Sequence, residues 1–209
     1  MTAIRDELLA RAECYGMCYD PQAVPRWSTG TVHAFEALLD DVPQIQFEGT
    51  CNLLEWAVDL AAIQPWPHEH LGDLAEAFWQ NTMQVAPAIL DYVKTLTGPY
   101  DIQGHSKGGP NGLCLGAYLT LAGYPPRTIV AFECARAGGR TLRNFLLNAG
   151  IRVVQTVTVN MYGRDIVTTL PPWGVDITEP IVLTVPDSYD IAQKHRLPGV
   201  IDGIRGLPE

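Results

Sequence analysis

The sequence predicts an α/β protein with a mostly parallel central sheet and helices on both faces. From about residue 100 onward, short apolar segments typical of strands alternate with longer segments typical of helices. The connections between them are short, and the 19 Gly and 16 Pro of the 209 residues suit tight turns. Parallel strands joined through helices require right-handed crossovers, which cover a sheet on both sides.

The first hundred residues predict mostly helix. Apolar residues recur at helical spacing from Thr2 to Tyr15, and a second helix is predicted over Thr31–Leu39, which makes an N-terminal helical segment of about residues 1–40. Gln44–Phe47 alternates polar and apolar residues and predicts a strand. Leu74–Leu96 predicts a long helix that Pro87 kinks.

The second half carries the alternation that defines the fold class. Strands are predicted over Tyr100–Gln103, Thr128–Phe132, Val153–Val159 and Ile181–Val185. Helices are predicted over Pro110–Ala122 and Thr141–Leu147, with Ile191–Ile204 a terminal helical or loop segment. No repeat or linker interrupts the chain, so we expect one domain over residues 1–209, with its ligand site at the carboxyl ends of the strands.

Charge and composition exclude several classes of partner. A net charge of −9 without any basic run makes nucleic acid a poor partner. No apolar run approaches the length of a bilayer span and the first residues carry charges, so we expect no stable membrane insertion and no signal peptide. The five cysteines lack zinc-type spacing and predict reduced thiols in a cytoplasmic protein, while the oligomeric state stays open.

The strongest chemical motif is a G-x-S-x-G pentapeptide at Gly104–Gly108, between a predicted strand and a predicted helix. A strand that turns sharply into a helix holds the central residue in a strained conformation, and glycines on either side let the backbones approach. The hydroxyl of Ser106 is then exposed above the sheet as a candidate nucleophile. The alternative is a glycine-rich turn without chemistry.

A serine nucleophile requires a histidine base and an acid that orients it. In the chain order Ser, acid, His, only His195 follows Ser106, although a solvated histidine near a chain end is the simpler reading. Asp165 is the first choice of acid because it follows a predicted strand in a polar turn, and Glu133 is the second. The full set of acidic candidates is Glu133, Asp165, Asp176, Glu179, Asp187 and Asp190.

An oxyanion hole needs two backbone donors, one of them from the residue after the nucleophile, which is Lys107. The second donor is assigned to Thr50 after the glycine turn of the early strand, with a helix N-cap as the equal alternative. The apolar residues Leu53, Leu54 and Trp56 either bind an acyl chain or belong to a packed helix, and the helix is favoured.

No metal or other cofactor is predicted. The segment His68-Glu69-His70 combines metal-binding residue types, but adjacent histidines around one glutamate lack the i, i+4 spacing of a helical zinc site.

Several segments together resemble the class 3 lipases, an α/β-hydrolase family of triacylglycerol lipases and esterases. The resemblance runs in order from about Phe47 to Ile204. Its segments are Phe47–Thr50 (F-R-G-T in the family) with Trp56 and Asp59, His70–Gly72 (H-x-G-F), Gly104–Gly109 (G-H-S-L-G-G), Phe132–Gly138 (F-x-x-P-R-x-G), Asp165–Pro172 (D-x-V-x-x-L-P-P) and the late His195.

The resemblance implies an α/β-hydrolase fold in which Ser106, Asp165 and His195 are nucleophile, acid and base. It also implies that Thr50 and Lys107 line the oxyanion hole. Glu48, Lys107 and Ala135 depart from the family pattern, and the first two change the charge near the site. We therefore expect a carboxylester hydrolase that acts on a small-molecule ester or lipid, rather than a digestive lipase.

Three other functions remain open at this stage. A thioesterase or an acyltransferase would use the same residues and differ in the bond cleaved or in the acceptor of the acyl group. A non-catalytic scaffold that only binds is the alternative from another class, because a fold does not determine a function.

Overall fold

The computed structural model describes residues 2–49 and 63–208. Within them the α-helices are α1 (Thr2–Tyr15), α2 (Glu76–Met83), α3 (Ala86–Val93), α4 (Gly108–Leu121), α5 (Arg140–Asn148), α6 (Ile191–His195) and α7 (Leu197–Arg205). Short 3₁₀ turns cover Gly16–Tyr19 and Ile166–Thr169.

A central sheet dominates the fold. Its strands are β1 (Trp27–Thr29), β2 (Val32–Leu39), β3 (Val42–Phe47), β6 (Asp101–His105), β7 (Thr128–Phe132), β8 (Arg152–Asn160), β9 (Gly163–Arg164) and β10 (Ile181–Thr184), whereas β4 (Pro65–His68) and β5 (Gly72–Ala75) form a separate hairpin. The strand order is β1-β2-β3-β6-β7-β8-β10, with β9 added to β8. The run from β3 to β10 is parallel, while the first two strands and β9 pair antiparallel.

The sheet buries both of its faces. Successive residues of β7 point to opposite sides: Ile129 and Ala131 join the core under α2, α3, α4 and α5, whereas Val130 and Phe132 join a second core under α1 and α7. All five residues of β7 are buried, as expected for a central parallel strand covered by helices on both faces. The predicted α/β architecture is confirmed.

Several predicted elements are confirmed with small shifts of their ends. They are the first helix, the strand at Gln44–Phe47, the four strands of the second half, and the helices at Pro110–Ala122 and Thr141–Leu147. The terminal segment Ile191–Ile204 is helical, in two pieces.

Two helix predictions are wrong. The predicted N-terminal helical segment of about residues 1–40 stops being α-helical at Tyr15, and Thr31–Leu39 forms strand β2, because it pairs with both β1 and β3. The predicted long helix Leu74–Leu96 is two separate helices preceded by β5. Pro87 lies in the first turn of α3, where its missing N–H costs no helical hydrogen bond, so it begins a helix instead of kinking one.

Candidate active site

The carboxyl ends of β6, β7 and β8 form one edge of the sheet. Ser106 directly follows β6, Glu133 directly follows β7, and Asp165 follows the β8–β9 hairpin. The parallel order β6-β7-β8 brings these three segments to the same edge. The polar residues predicted to carry chemistry therefore meet where ligands bind in open α/β sheets.

Ser106 occupies the sharp turn between β6 and α4. Its φ is +56°, a left-handed conformation that is unfavourable for a residue other than glycine. The turn is fixed by its backbone, since the Ser106 N–H donates to the carbonyl of Phe132 over 3.0 Å and its carbonyl accepts from Gly109 over 3.2 Å. The Ser106 hydroxyl is buried and has no hydrogen-bond partner among the described residues.

Gly104 and Gly108 are needed for this turn because backbones pass against them. A Cβ at Gly104 would overlap the carbonyl group of Gly108, and a Cβ at Gly108 would overlap the carbonyl oxygen of Phe47 at the end of β3. The glycines of the pentapeptide therefore allow the backbones of β3, β6 and α4 to approach closely. This is the role that the sequence predicted for them.

His195 ends the short helix α6. Asp190 begins that helix with a capping box, in which its carboxylate accepts from the Gln193 N–H over 2.7 Å and the Gln193 side chain accepts from the Asp190 N–H over 2.9 Å. His195 is 2% exposed, so the reading of a solvated terminal histidine is wrong. Its Nε2 is buried and has no hydrogen-bond partner within the described part of the chain.

Asp165 is the carboxylate that pairs with this histidine. Its Oδ2 binds Nδ1 of His195, and its Oδ1 accepts from the Val167 N–H over 3.0 Å. Its own N–H donates to the carbonyl of Thr158 on β8 over 3.0 Å, and the residue is fully buried. Because its backbone N–H and both of its carboxylate oxygens are hydrogen-bonded, Asp165 is held in place. It orients the His195 ring so that Nε2 makes no hydrogen bond to a described residue.

Glu133, the second-choice acid, does not contact His195 in any hydrogen bond of the described residues. It is fully buried at a φ of +45°. Its carboxyl group accepts from Thr158 N–H over 2.7 Å and contacts the Thr156 and Thr158 hydroxyls over 3.1 Å. Burial and then the nearby charge of Asp165 raise the pKa of Glu133 to about 8, against the lowering effect of those hydrogen bonds.

His105, Tyr15 and Tyr19 form part of the site that sequence reasoning missed. His105 Nδ1 lies 2.7 Å from the Tyr19 hydroxyl, and Nε2 lies 2.6 Å from the carbonyl oxygen of His195. The Tyr15 hydroxyl accepts from the His105 N–H over 3.1 Å and donates to the Phe47 carbonyl. Burial and the neighbouring His195 lower the pKa of His105 to about 3, so its ring is neutral.

The oxyanion residues are only partly within the described chain. Lys107 stands at the N-terminus of α4, and its ammonium group donates to the carbonyl of Thr31 over 3.0 Å. Thr50, Leu53, Leu54 and Trp56 lie outside the described residues, so their roles stay predictions. Gly49, immediately before them, packs so closely that a Cβ there would collide with the Tyr19 hydroxyl.

A cavity of about 800 Å³ opens beside the His195 helix. It is lined by Tyr162, Arg164, Ile166, Lys194 and the segment 187–192. Ile166 directly follows Asp165, and Lys194 directly precedes His195, so chain neighbours of the acid and the base line this space while Asp165 and His195 themselves are buried behind it.

The described ranges contain neither a cluster of metal-binding side chains nor a helix that could span a membrane. Residues 2–49 and 63–208 contain no group of three or more His, Cys, Asp or Glu that could hold a metal ion. In the same ranges, every helix is too short or too polar to cross a membrane. Cys14, Cys18, Cys114 and Cys134 are free thiols.

One family model matches this chain. The sequence model of the class 3 lipases matches residues 44–175. Among curated proteins, none matches the chain.

Solved structures of fungal lipases share the fold. The MDLA N225Q mutant from Penicillium cyclopium aligns with a TM-score of 0.76 at 16% identity, covering 93% of this chain and 85% of that one. The lipase of Rhizopus microsporus var. chinensis aligns with a TM-score of 0.67 at 17% identity, covering 88% and 75%. The Rhizomucor miehei lipase propeptide complex aligns with a TM-score of 0.68 at 20% identity, covering 89% and 69%. Since the family match spans more than half of the sequence and the α/β-hydrolase fold agrees with it, the chain belongs to the class 3 lipases, a family of ester-hydrolysing serine hydrolases.

Proposed function

We propose that this protein cleaves carboxylic esters through an acyl-enzyme, with Ser106 as nucleophile, His195 as base and Asp165 as the acid that orients it. The family match includes Ser106 and Asp165 but ends before His195, so the base is assigned from its geometry.

One observation carries the proposal: two buried polar atoms at the same sheet edge, the Ser106 hydroxyl and Nε2 of His195, have no hydrogen-bond partner among the described residues. Buried polar atoms are nearly always paired, so open ones call for a functional explanation. The two residues are neighbours through His105, whose ring bonds the His195 backbone and which directly precedes Ser106. A free hydroxyl and a free proton acceptor on segments joined through His105 are what nucleophilic catalysis by serine requires.

The chemistry follows from these atoms. The Ser106 hydroxyl attacks the ester carbonyl carbon while its proton moves to Nε2 of His195, and the Asp165 carboxylate stabilises the resulting imidazolium through Nδ1. The tetrahedral oxyanion collapses, the C–O bond to the alcohol breaks, and the departing alcohol takes the proton from Nε2. Water then repeats the sequence on the acyl-enzyme, releasing the carboxylic acid and restoring the Ser106 hydroxyl.

The oxyanion is assigned to the backbone N–H groups of Lys107 and Thr50. Lys107 is the N-cap residue of α4, so the positive end of the helix dipole adds to the effect of its N–H. Gly49, the last described residue before Thr50, packs closely against Tyr19.

A small-molecule ester or lipid is the proposed substrate. The cavity lined by Ile166 and Ile191 has the volume of ordinary ligand pockets and offers apolar contacts next to the helix that carries His195. The Lys107 ammonium group donates a hydrogen bond to the Thr31 carbonyl.

The test is hydrolysis of p-nitrophenyl esters from acetate to palmitate, together with labelling by a fluorophosphonate that reacts with activated serines. We expect wild-type turnover, a loss of at least about a thousandfold in Ser106→Ala and His195→Ala, and label only on Ser106. Ser28→Ala is the matched control, because Ser28 lies on an edge strand and bonds only His33 among the described residues. A folded protein that neither turns over esters nor reacts with the probe would favour a binding scaffold.

Transfer to a different acceptor is the second outcome to separate. An acyltransferase would also be labelled at Ser106, but it would transfer the acyl group to an alcohol in preference to water. A thioesterase would be labelled in the same way, but it would cleave thioesters in preference to oxygen esters. Competition between p-nitrophenyl and thiophenyl esters, and product analysis with added alcohol, distinguish these possibilities.

A further inference from the structure

Glu133 is a second buried carboxyl group behind the proposed triad, and the proposed mechanism does not use it. It combines complete burial with a left-handed backbone conformation. Each of these features disfavours an ordinary glutamate, the first through desolvation and the second through steric strain. A residue kept at such a cost beside an active site invites a functional explanation.

Thr158 connects Glu133 to both the acid and the base. Its carbonyl accepts from the N–H of Asp165 over 3.0 Å, and its hydroxyl lies 3.2 Å from the carbonyl of Lys194, the residue before His195. The same hydroxyl lies 3.1 Å from Oε2 of Glu133, which also accepts the Thr158 N–H.

The Thr158 hydroxyl has one proton and two acceptors. A Glu133 carboxylate is the stronger acceptor and takes that proton, which leaves the buried Lys194 carbonyl without its donor. A neutral Glu133 competes weakly, so the hydroxyl donates to Lys194 and fixes the backbone that carries His195. The charge of Glu133 thereby controls one of the contacts that hold the base, in addition to those from His105 and Asp165.

We propose that Glu133 is a positioning residue for the His195 base, which its neutral form holds through Thr158 and its ionised form releases, so that turnover falls at alkaline pH. The proposal rests on the proposed hydrolase function and adds a regulatory residue to it.

The charged and titratable groups around Glu133 agree with a neutral resting form. Asp165 contributes a negative charge that opposes its ionisation, and the adjacent thiol of Cys134 has its pKa raised by burial to about 12. The Lys194 ammonium group is directed elsewhere, to the Asn160 side chain and the Gly163 carbonyl. His195 is bound to Asp165 through Nδ1, so no described cation pairs with Glu133.

The experiment compares kcat between pH 6 and pH 10 in the wild type and Glu133→Gln, with a Ser106→Ala blank at each pH. One pH unit above the midpoint of ionisation about a tenth of Glu133 stays neutral, so wild-type kcat should fall up to tenfold there. Glu133→Gln cannot ionise, and its alkaline limb should flatten to less than a twofold loss over the same interval. An unchanged alkaline limb in Glu133→Gln overturns the proposal.

Variants of the two threonines test the connection itself. Thr158→Val should lower kcat about tenfold with little change in KM, and Thr158→Ser, which restores the hydroxyl, should recover most of that loss. Thr156→Val is the matched control, since the Thr156 hydroxyl contacts Glu133 but makes no hydrogen bond to the Lys194 carbonyl. Equal losses in the two valine variants would overturn the role of Thr158.

A readout that needs no turnover separates this proposal from the hydrolase proposal. The Nδ1–H proton of His195 can be followed by NMR, and it should shift as pH rises through the ionisation of Glu133 in the wild type but not in Glu133→Gln. If neither ester turnover nor labelling of Ser106 is observed but this shift is present, only the hydrolase proposal is refuted. Absence of the shift in an active enzyme would refute the positioning role alone.

Discussion

The ring of His105 donates from Nε2 to the backbone carbonyl oxygen of His195 over 2.6 Å. A carbonyl can only accept, so Nε2 carries the proton and Nδ1 of the neutral ring accepts from the Tyr19 hydroxyl. Gly49 packs against the Tyr19 hydroxyl so closely that a Cβ there would overlap it. Hydrogen bonds therefore join the 3₁₀ turn after α1, strand β6 and helix α6 next to Ser106.

Replacement of His105 by phenylalanine should weaken both the fold and the site. The ring volume is kept, but the Tyr19 hydroxyl and the His195 carbonyl lose a partner inside the protein. We expect a loss of about 2–3 kcal/mol in the free energy of unfolding. Because the His195 carbonyl loses this hydrogen bond, we also expect kcat to fall about 10- to 100-fold. Urea denaturation and ester hydrolysis measure the two effects.

His70→Phe is the matched control, because the His70 side chain is exposed on the β4–β5 hairpin. It should leave both quantities close to wild type. If His105→Phe keeps kcat within twofold of wild type and has the same free energy of unfolding as His70→Phe, then His105 does not hold the base in place.

The stability of the protein should depend on the protonation of His105. Its pKa lies near 3 in the folded state, below the ordinary value of about 6.5 that applies when unfolded. Between those values the unfolded chain binds a proton that the folded one does not, so stability is lost as pH falls below 6.5. At pH 5 the loss is about 2 kcal/mol. Urea midpoints at pH 7 and pH 5 should therefore differ less in His105→Phe than in the wild type.

The site residues that could be predicted from the sequence are those fixed by local turn chemistry. Ser106 was predicted because the glycines around it follow from a sharp strand-to-helix turn, and Asp165 because it follows a strand end. His195 was predicted because it is the one histidine after the nucleophile. The pairing of Asp165 with His195, rather than of Glu133, needed the structure.

Strand β2 shows why part of the fold could not be predicted. The apolar residues of Thr31–Leu39 fit helical spacing almost as well as strand alternation. The deciding contacts are with β1 and β3, and the turn into β3 uses Asp40 and Asp41 at φ values of +50° and +61°. Aspartate tolerates that conformation in two-residue hairpin turns, so the Asp40-Asp41 pair is a sequence signal for the hairpin between β2 and β3.

The Tyr19–His105 contact left no local signal at all. Its two residues are 86 positions apart, and their hydrogen bond depends on how the 3₁₀ turn after α1 packs over the end of β6. Composition and periodicity report which residues are buried, but not which polar atoms meet. The same holds for Glu133 and Thr158, whose meeting depends on the register of β7 and β8.

Asp101, at the opposite end of β6 from Ser106, should affect stability without affecting catalysis. It is fully buried between Arg11, 3.0 Å away, and Arg127, 2.6 Å away. Asp101→Asn leaves the buried Arg11 with a weaker partner, and we expect a loss of about 3 kcal/mol in the free energy of unfolding. In the folded fraction kcat should be unchanged. Asp91→Asn, which breaks an exposed pair with Lys94, is the control and should change stability by less than about 1 kcal/mol.

The pH dependence of the Asp101 effect has a defined sign. Burial raises its pKa, but the hydrogen bonds and charges of Arg127 and Arg11 outweigh burial and lower it below the ordinary value. The stabilisation is therefore present above the unfolded pKa of about 4 and is lost as pH falls through the folded value. Asp101→Asn should reduce the loss of stability between pH 5 and pH 3. An equal acid loss in the variant would contradict this assignment.

Gly108→Ala tests whether the serine turn depends on close backbone approach. The new methyl group would overlap the carbonyl oxygen of Phe47, and β3 and α4 would have to separate. Overpacking of this kind costs about 1–3 kcal/mol, and here the displaced atoms belong to the backbone next to Ser106 and Lys107. We expect the free energy of unfolding to fall by an amount at the upper end of that range, and kcat of the folded protein to fall more than tenfold. Gly98→Ala is the control, because a Cβ at Gly98 meets nothing within 4 Å. Equal behaviour of the two alanine variants in urea denaturation and ester hydrolysis would show that the turn tolerates a side chain at Gly108, and that the spacing of the pentapeptide has another cause.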